Sequence, residues 1–148
     1  MPVLSDFDQI LASLDPQPEG SYVYATMESL PEDVTPFAYV HEDEGVTVIL
    51  PIEEARSLGL ALDETYARIT LRVHSALNSV GLTATIAQTM ASRSLTCNVI
   101  AGYYHDHIFV QEDRVEEACA LLEELALTAR GWLPPSGDGE GDLDDIDN

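Results

Sequence analysis

Lysine is missing from this chain altogether, and arginine supplies its 6 cationic side chains against 27 acids. The resulting net charge of −21 repels phosphate backbones and anionic headgroups, which argues against nucleic acid and membrane surfaces as partners. Asp138, Glu140, Asp142, Asp144, Asp145 and Asp147 near the C-terminus account for only part of it, so the body is itself strongly acidic. Such a surface suits a salt-rich cytosol, in which stability rises with salt, although a merely acidic protein fits the charge as well. Cysteine is nearly as scarce. Cys97 and Cys119 stand far apart, with neither CxxC spacing nor scaffold density, and are expected as reduced thiols on core faces. No apolar run approaches the roughly 18–20 residues of a membrane span. The N-terminal MPVLSDFDQI lacks the basic start and apolar middle of a secretion signal. The expected location is therefore cytoplasmic.

With 148 residues, 45% of them hydrophobic, the chain is able to bury one ordinary core or two small domains sharing one. Ser5 is placed to cap a short helix with Phe7, Ile10, Leu11 and Leu14 on one stripe. Strands are expected at Ser21 to Met27, Phe37 to His41 and Val46 to Leu50, the last two joined by a hairpin ending in Gly45. Leu30 to Thr35 reads as a connector, and Ile52 to Leu58 as a short helix stopped by Gly59. This half reads α-β-β-β-α and lacks an opening strand. From Tyr66 to His74 apolar and polar residues alternate, a strand with one face against helices and with Arg68 and Arg72 on the other. Salt bridges to acids across the sheet are expected for both arginines.

Ser79 is positioned to cap the next helix, which carries Leu82, Ile86 and Met90 on one stripe. Strands follow at Thr96 to Gly102 and Ile108 to Val110, then a long helix capped by Asp113 with Glu116 completing a capping box. Trp132 and Leu133 are expected to tuck back, and the acidic, low-complexity segment from Pro134 to be disordered. The fold class is thus α+β, two ferredoxin-like halves with antiparallel strands and helices on one face. The divisions are 1–62, 63–133 and a tail, 134–148.

SALNSVGLTATIAQTM, CNVIAGYYHDHIFV and VEEACALLEEL closely resemble the ACT domain, most of all small proteins made of two ACT-like halves. The resemblance is close from Tyr66 to Thr128 and weaker, in the same order, from Ser21 to Leu60. It implies a regulatory module, not an enzyme, that binds an amino acid, often at an interface between two domains, with no cofactor; a homodimer is the expected assembly. It also implies a site in the loop Ser75 to Leu82, with Gly81 at the tight turn, facing Asn98 and Ile100. The chemistry suits a zwitterion. Backbone N–H groups around Val80, Gly81, Leu82 and Thr83 favour a carboxylate, and Asn78 and Asn98 offer amide oxygens to an ammonium group. A plain turn glycine and an ordinary loop asparagine account for the same residues without a ligand. A structural or interaction protein that keeps the fold without a pocket is the alternative.

His105 and His107 are weak candidates for a metal, since an extended HDH segment puts both on one side, with His74 or Asp106 to complete the set. Local hydrogen bonding at a turn explains them as well. Ser75, His74 and Asp106 can be written as a triad, but no nucleophile elbow occurs, nor any phosphate-binding glycine motif. An open edge beside the unclosed second half adds an argument for a dimer, unless the two halves close it together.

Overall fold

The computed structural model describes residues 6–73 and 81–132. Ser5, His74, Ser75, Asn78, Ser79, Val80, Leu133 and the 134–148 tail lie outside the described residues, as does the side chain of Trp132. In chain order the elements are α1 (Asp6–Ala12), β1 (Pro18–Met27), β2 (Ala38–Glu42), β3 (Gly45–Pro51), α2 (Ile52–Ser57) and β4 (Tyr66–Leu71). Then come α3 (Leu82–Ala91), β5 (Asn98–Ala101), β6 (Asp106–Gln111), a 3-10 turn (Glu112–Arg114) and α4 (Val115–Trp132).

The strands form one six-stranded antiparallel sheet in the order β2-β3-β1-β4-β6-β5. Each half is a ferredoxin-like unit whose fourth position is filled by the other half's first strand. At the junction Tyr22 pairs with Tyr66; outward, Tyr22 pairs with Pro51 and Tyr66 with Gln111. Exchanging β1 with β4 therefore exchanges β3 with β6 and β2 with β5, an internal two-fold plan. This corrects the reading of the N-terminal half. Its opening strand is β1; what it lacks is a helix between its first two strands, where residues 28–37 form an irregular connector. The edge left by the unclosed second half is likewise filled within the chain, by β1 against β4. That removes the open-edge argument for a dimer.

Register assigns every strand residue to a side, because directly paired residues point the same way. The helical side is aliphatic. Ile69, Leu71, Ile108 and Val110 meet Leu82, Ile86 and Met90 of α3 and Ala118, Leu122 and Ala126 of α4, with Leu11 and Leu14 from around α1. Val23, Val46, Val48 and Leu50 continue that layer under Ala55 of α2. These stripes follow the expected periodicities. Arg130 Nε donates to the Ala12 carbonyl at 2.9 Å, fastening the end of α1 to α4.

Among the described residues the opposite face carries no helix, and it is aromatic. Tyr22, Ile49 and Phe109 are buried on it, with Phe37, Tyr66, Ala38 and Ile100 packed against them. The sheet curls enough that Ala38 from one edge strand and Ile100 from the other pack against this same cluster. Edge-to-face ring contacts at 5.3 to 5.8 Å link Tyr22, Tyr24, Phe37, Tyr66 and Phe109.

Two expected caps differ. The helix after β4 has Gly81, not Ser79, in its N-cap position. Asp113 sits inside the 3-10 turn, whose N-cap is Gln111, because Arg114 folds back to Glu117 and to the carbonyls of Arg93 and Ser94 and tightens the entry to α4. Gly45, ending the hairpin turn, and Gly59, just past α2, take positive φ, at 152° and 72°.

Candidate functional site

The candidate site begins where α3 opens. Gly81 has φ 106° and ψ −33°, a conformation that costs an L side chain dearly and a glycine little. No side chain caps the helix there, and the first helical bond runs from Thr85 N–H to the Gly81 carbonyl at 2.9 Å. Among the described residues no side chain accepts from the N–H groups of the first turn, and the positive end of the helix dipole adds to them. Leu82 is buried in the helical-side core and anchors the turn, while Thr83 is exposed. Of the other residues expected in the loop, Ser75, Asn78 and Val80 lie outside the described residues.

The expected facing residues lie elsewhere on the sheet. Asn98 pairs with Phe109, and Ile100 with His107, so both side chains belong to the open aromatic face while Leu82 sits on the helical side. The structure brings Gly81, Leu82 and Thr83 together at one place and Asn98 and Ile100 together at another. Asn98 is exposed and Ile100 half-buried.

That open face holds a polar network the sequence reading did not single out. Arg68 Nε donates to the Tyr22 hydroxyl at 3.1 Å, and its Nη1 donates to Thr70 Oγ1 at 2.5 Å. The guanidinium carbon lies 4.6 Å from the centre of the Phe37 ring and 5.5 Å from that of Tyr22. Thr70 Oγ1 is 2.9 Å from His107 Nδ1, and the His107 ring stands edge-on to Phe37 at 4.9 Å. Burial first, then the Arg68 charge, push the His107 pKa below its ordinary value, so the ring is held neutral. Glu19 is held below the usual carboxylate range, chiefly by its hydrogen bond with Arg72, with which it forms an ion pair. Of the two arginines expected to form salt bridges across the sheet, Arg72 does so and Arg68 does not among the described residues. The alternation of β4 was the signal that both share this face; nothing in the sequence put Phe37 over Arg68.

His105 and His107 gather no metal set: among the described residues no group of three His, Cys, Asp or Glu side chains is placed to hold an ion. His107 Nδ1 is committed to Thr70, whereas buried His105 Nδ1 has no hydrogen-bond partner among the described residues. Asp106 has its pKa raised by burial, which the neighbouring His105 partly offsets. Cys97 and Cys119 are free, half-buried thiols whose pKa values burial raises, which keeps them protonated and poorly nucleophilic.

Two clefts lined by described residues flank the sheet junction. One, of about 310 Å³, is lined by residues 63–66 with Gln111 and Asp113; the other, of about 450 Å³, by residues 20–22 and 51–53. The internal two-fold relates them, Tyr66 and Gln111 in one corresponding to Tyr22 and Pro51 in the other. Neither contains a residue expected to bind ligand. Among the described residues no helix is long and apolar enough to cross a membrane.

Two family models, each described as an ACT domain, match residues 4–67 and residues 63–124. They overlap at the start of β4, the strand that closes one unit and opens the next. A crystal structure of a protein of unknown function from Vibrio cholerae, described as a possible transport protein, is similar to this chain. It is 40% identical, with a TM-score of 0.70 over 79% of this chain and 93% of that one. A protein from Agrobacterium tumefaciens, 17% identical with a TM-score of 0.58 over 72% of this chain and 84% of its own, shares the fold. None of the curated proteins matches. ACT domains are regulatory, non-catalytic modules that commonly bind small molecules and often dimerise. On two successive matches, the strand order and the relative from Vibrio, the chain belongs to the ACT domain family and carries two ACT-type units in succession.

Proposed function

We propose that this protein is a regulatory sensor that binds a free amino acid at the start of α3, through its C-terminal unit and without catalysis. The observation that carries the reading is Gly81: a positive-φ residue opening a ten-residue helix that no described side chain caps. A carboxylate seated there meets unpaired N–H donors and the helix dipole, and the missing Cβ lets the backbone come close. In this reading Ser75, Asn78, Val80, Leu82 and Thr83 complete the site, and units divide at 1–62 and 63–133. The N-terminal unit has no helix between its first two strands, so it offers no equivalent of Gly81, and each chain takes one ligand. Output passes through assembly in the cytoplasm, with a second copy or with a regulated partner.

A thermal-shift screen against the twenty amino acids at millimolar concentration tests this. Ligand that binds only the folded state raises the melting temperature as its concentration rises. At least one amino acid is expected to do so, with the gain abolished by Gly81→Val. No shift with any of them would favour a scaffold that retains the fold without sensing.

A further inference from the structure

Arg68 stands apart from the other arginines. Arg56, Arg72, Arg93 and Arg130 are exposed, and half-buried Arg114 donates to the Glu117 carboxylate at 2.8 Å. Arg68 is half-buried too, yet among the described residues no carboxylate lies within ion-pair distance of it. Its Nε and Nη1 are satisfied by two neutral hydroxyls, while Nη2 makes no hydrogen bond among the described residues. Glu19, close enough to feel its charge, is engaged by Arg72. In a chain with 27 acids a counter-ion was readily available, and removing a charge from water is costly without one.

The surroundings are apolar, and among the described residues no helix covers them. Phe37 lies under the guanidinium, Tyr66 and Ile100 are half-buried on the same face, and exposed Asn98 ends the row that runs from Arg68 across Phe109. We propose that this face binds a small carboxylate with a planar, apolar body, its carboxylate paired with Arg68 and its body lying on the aromatic rings. Guanidinium repels the ammonium group of an amino acid, so this ligand differs from the one assigned to α3.

Benzoate is the probe and benzamide its uncharged counterpart, titrated into the full chain at constant ionic strength and followed by amide and side-chain NMR shifts. Benzoate is expected to give saturable shifts at Arg68 Nε, the Asn98 side chain and Ile100, and to bind about ten-fold or more tightly than benzamide, the scale of one charge-assisted bond. Arg68→Gln should remove that preference. Arg68→Lys, which keeps a cation should glutamine unfold the sheet, should reduce but retain it. Equal responses to the two probes, no saturable shift, or a preference surviving Arg68→Gln would overturn the proposal. So would benzoate shifts confined to Gly81–Thr83, which would leave the α3 site standing and this one empty. Failure of the amino-acid screen leaves these outcomes unaffected.

Discussion

In the C-terminal unit β4 leads to α3, whose Leu82, Ile86 and Met90 seal the helical side of the sheet. In the N-terminal unit Met27 leads instead into residues 28–37, of which only Val34 is buried. The difference is visible one strand further on. Val99 of β5 packs into the core below the helices, whereas its two-fold counterpart Tyr39 of β2 is 52% exposed. Strand pairing and α2 evidently hold the N-terminal frame without a first helix. What disappears with that helix is the glycine turn that would open it, and with the turn the feature on which the proposed carboxylate site rests.

The severest way to break the comparison is to separate its two sides. Residues 1–62 and 63–133, expressed apart, should each lose cooperative unfolding, because each supplies the other's fourth strand; circular dichroism of the mixture should recover it. A sharp melting transition in isolated 63–133 would make the units independent. Next come the counterparts Ile49 and Phe109, both buried on the aromatic face. Phe109→Ala should cost about 3–5 kcal/mol and Ile49→Ala about 2–5 kcal/mol in urea unfolding. Phe109 touches Tyr22, Tyr24 and Phe37 and should be the larger.

Smaller is Gly81→Ala, expected to cost about 1–2 kcal/mol from backbone conformation alone. Gly59→Ala, also at positive φ but with open space around it, should cost no more and leave ligand binding unchanged. Smallest is a pH effect confined to the C-terminal unit. His107 has a folded pKa below its unfolded value, so its contribution is complete above about pH 6.5 and is lost as pH falls through that value toward the folded pKa. The gap in stability between wild type and His107→Gln should therefore narrow from pH 7.5 to pH 5.5. Its counterpart Thr47 has nothing to titrate, and Thr47→Val should show no such trend.

Much of this was legible in the sequence where a period governs the outcome. The alternation from Ala67 to Leu71 and the helical stripe through Leu82, Ile86 and Met90 placed strand, helix and core side correctly. Pairing between halves was not legible, since nothing local to Ser21–Tyr22 or Tyr66–Ala67 names its partner across the junction. Asn98 shows what a linear reading leaves open: its place after the helix was clear, but which side of the sheet it faces depends on register with Phe109. Arg68 escaped for a similar reason, because Phe37 reaches it only through the curl of the whole sheet.

Calorimetric titration of the full chain with the amino acid that raises its melting temperature most tests the central claim directly. One molecule per chain, with binding lost in Gly81→Val and retained in Arg68→Gln, is the predicted result. Two molecules per chain, or binding indifferent to residue 81, would contradict it.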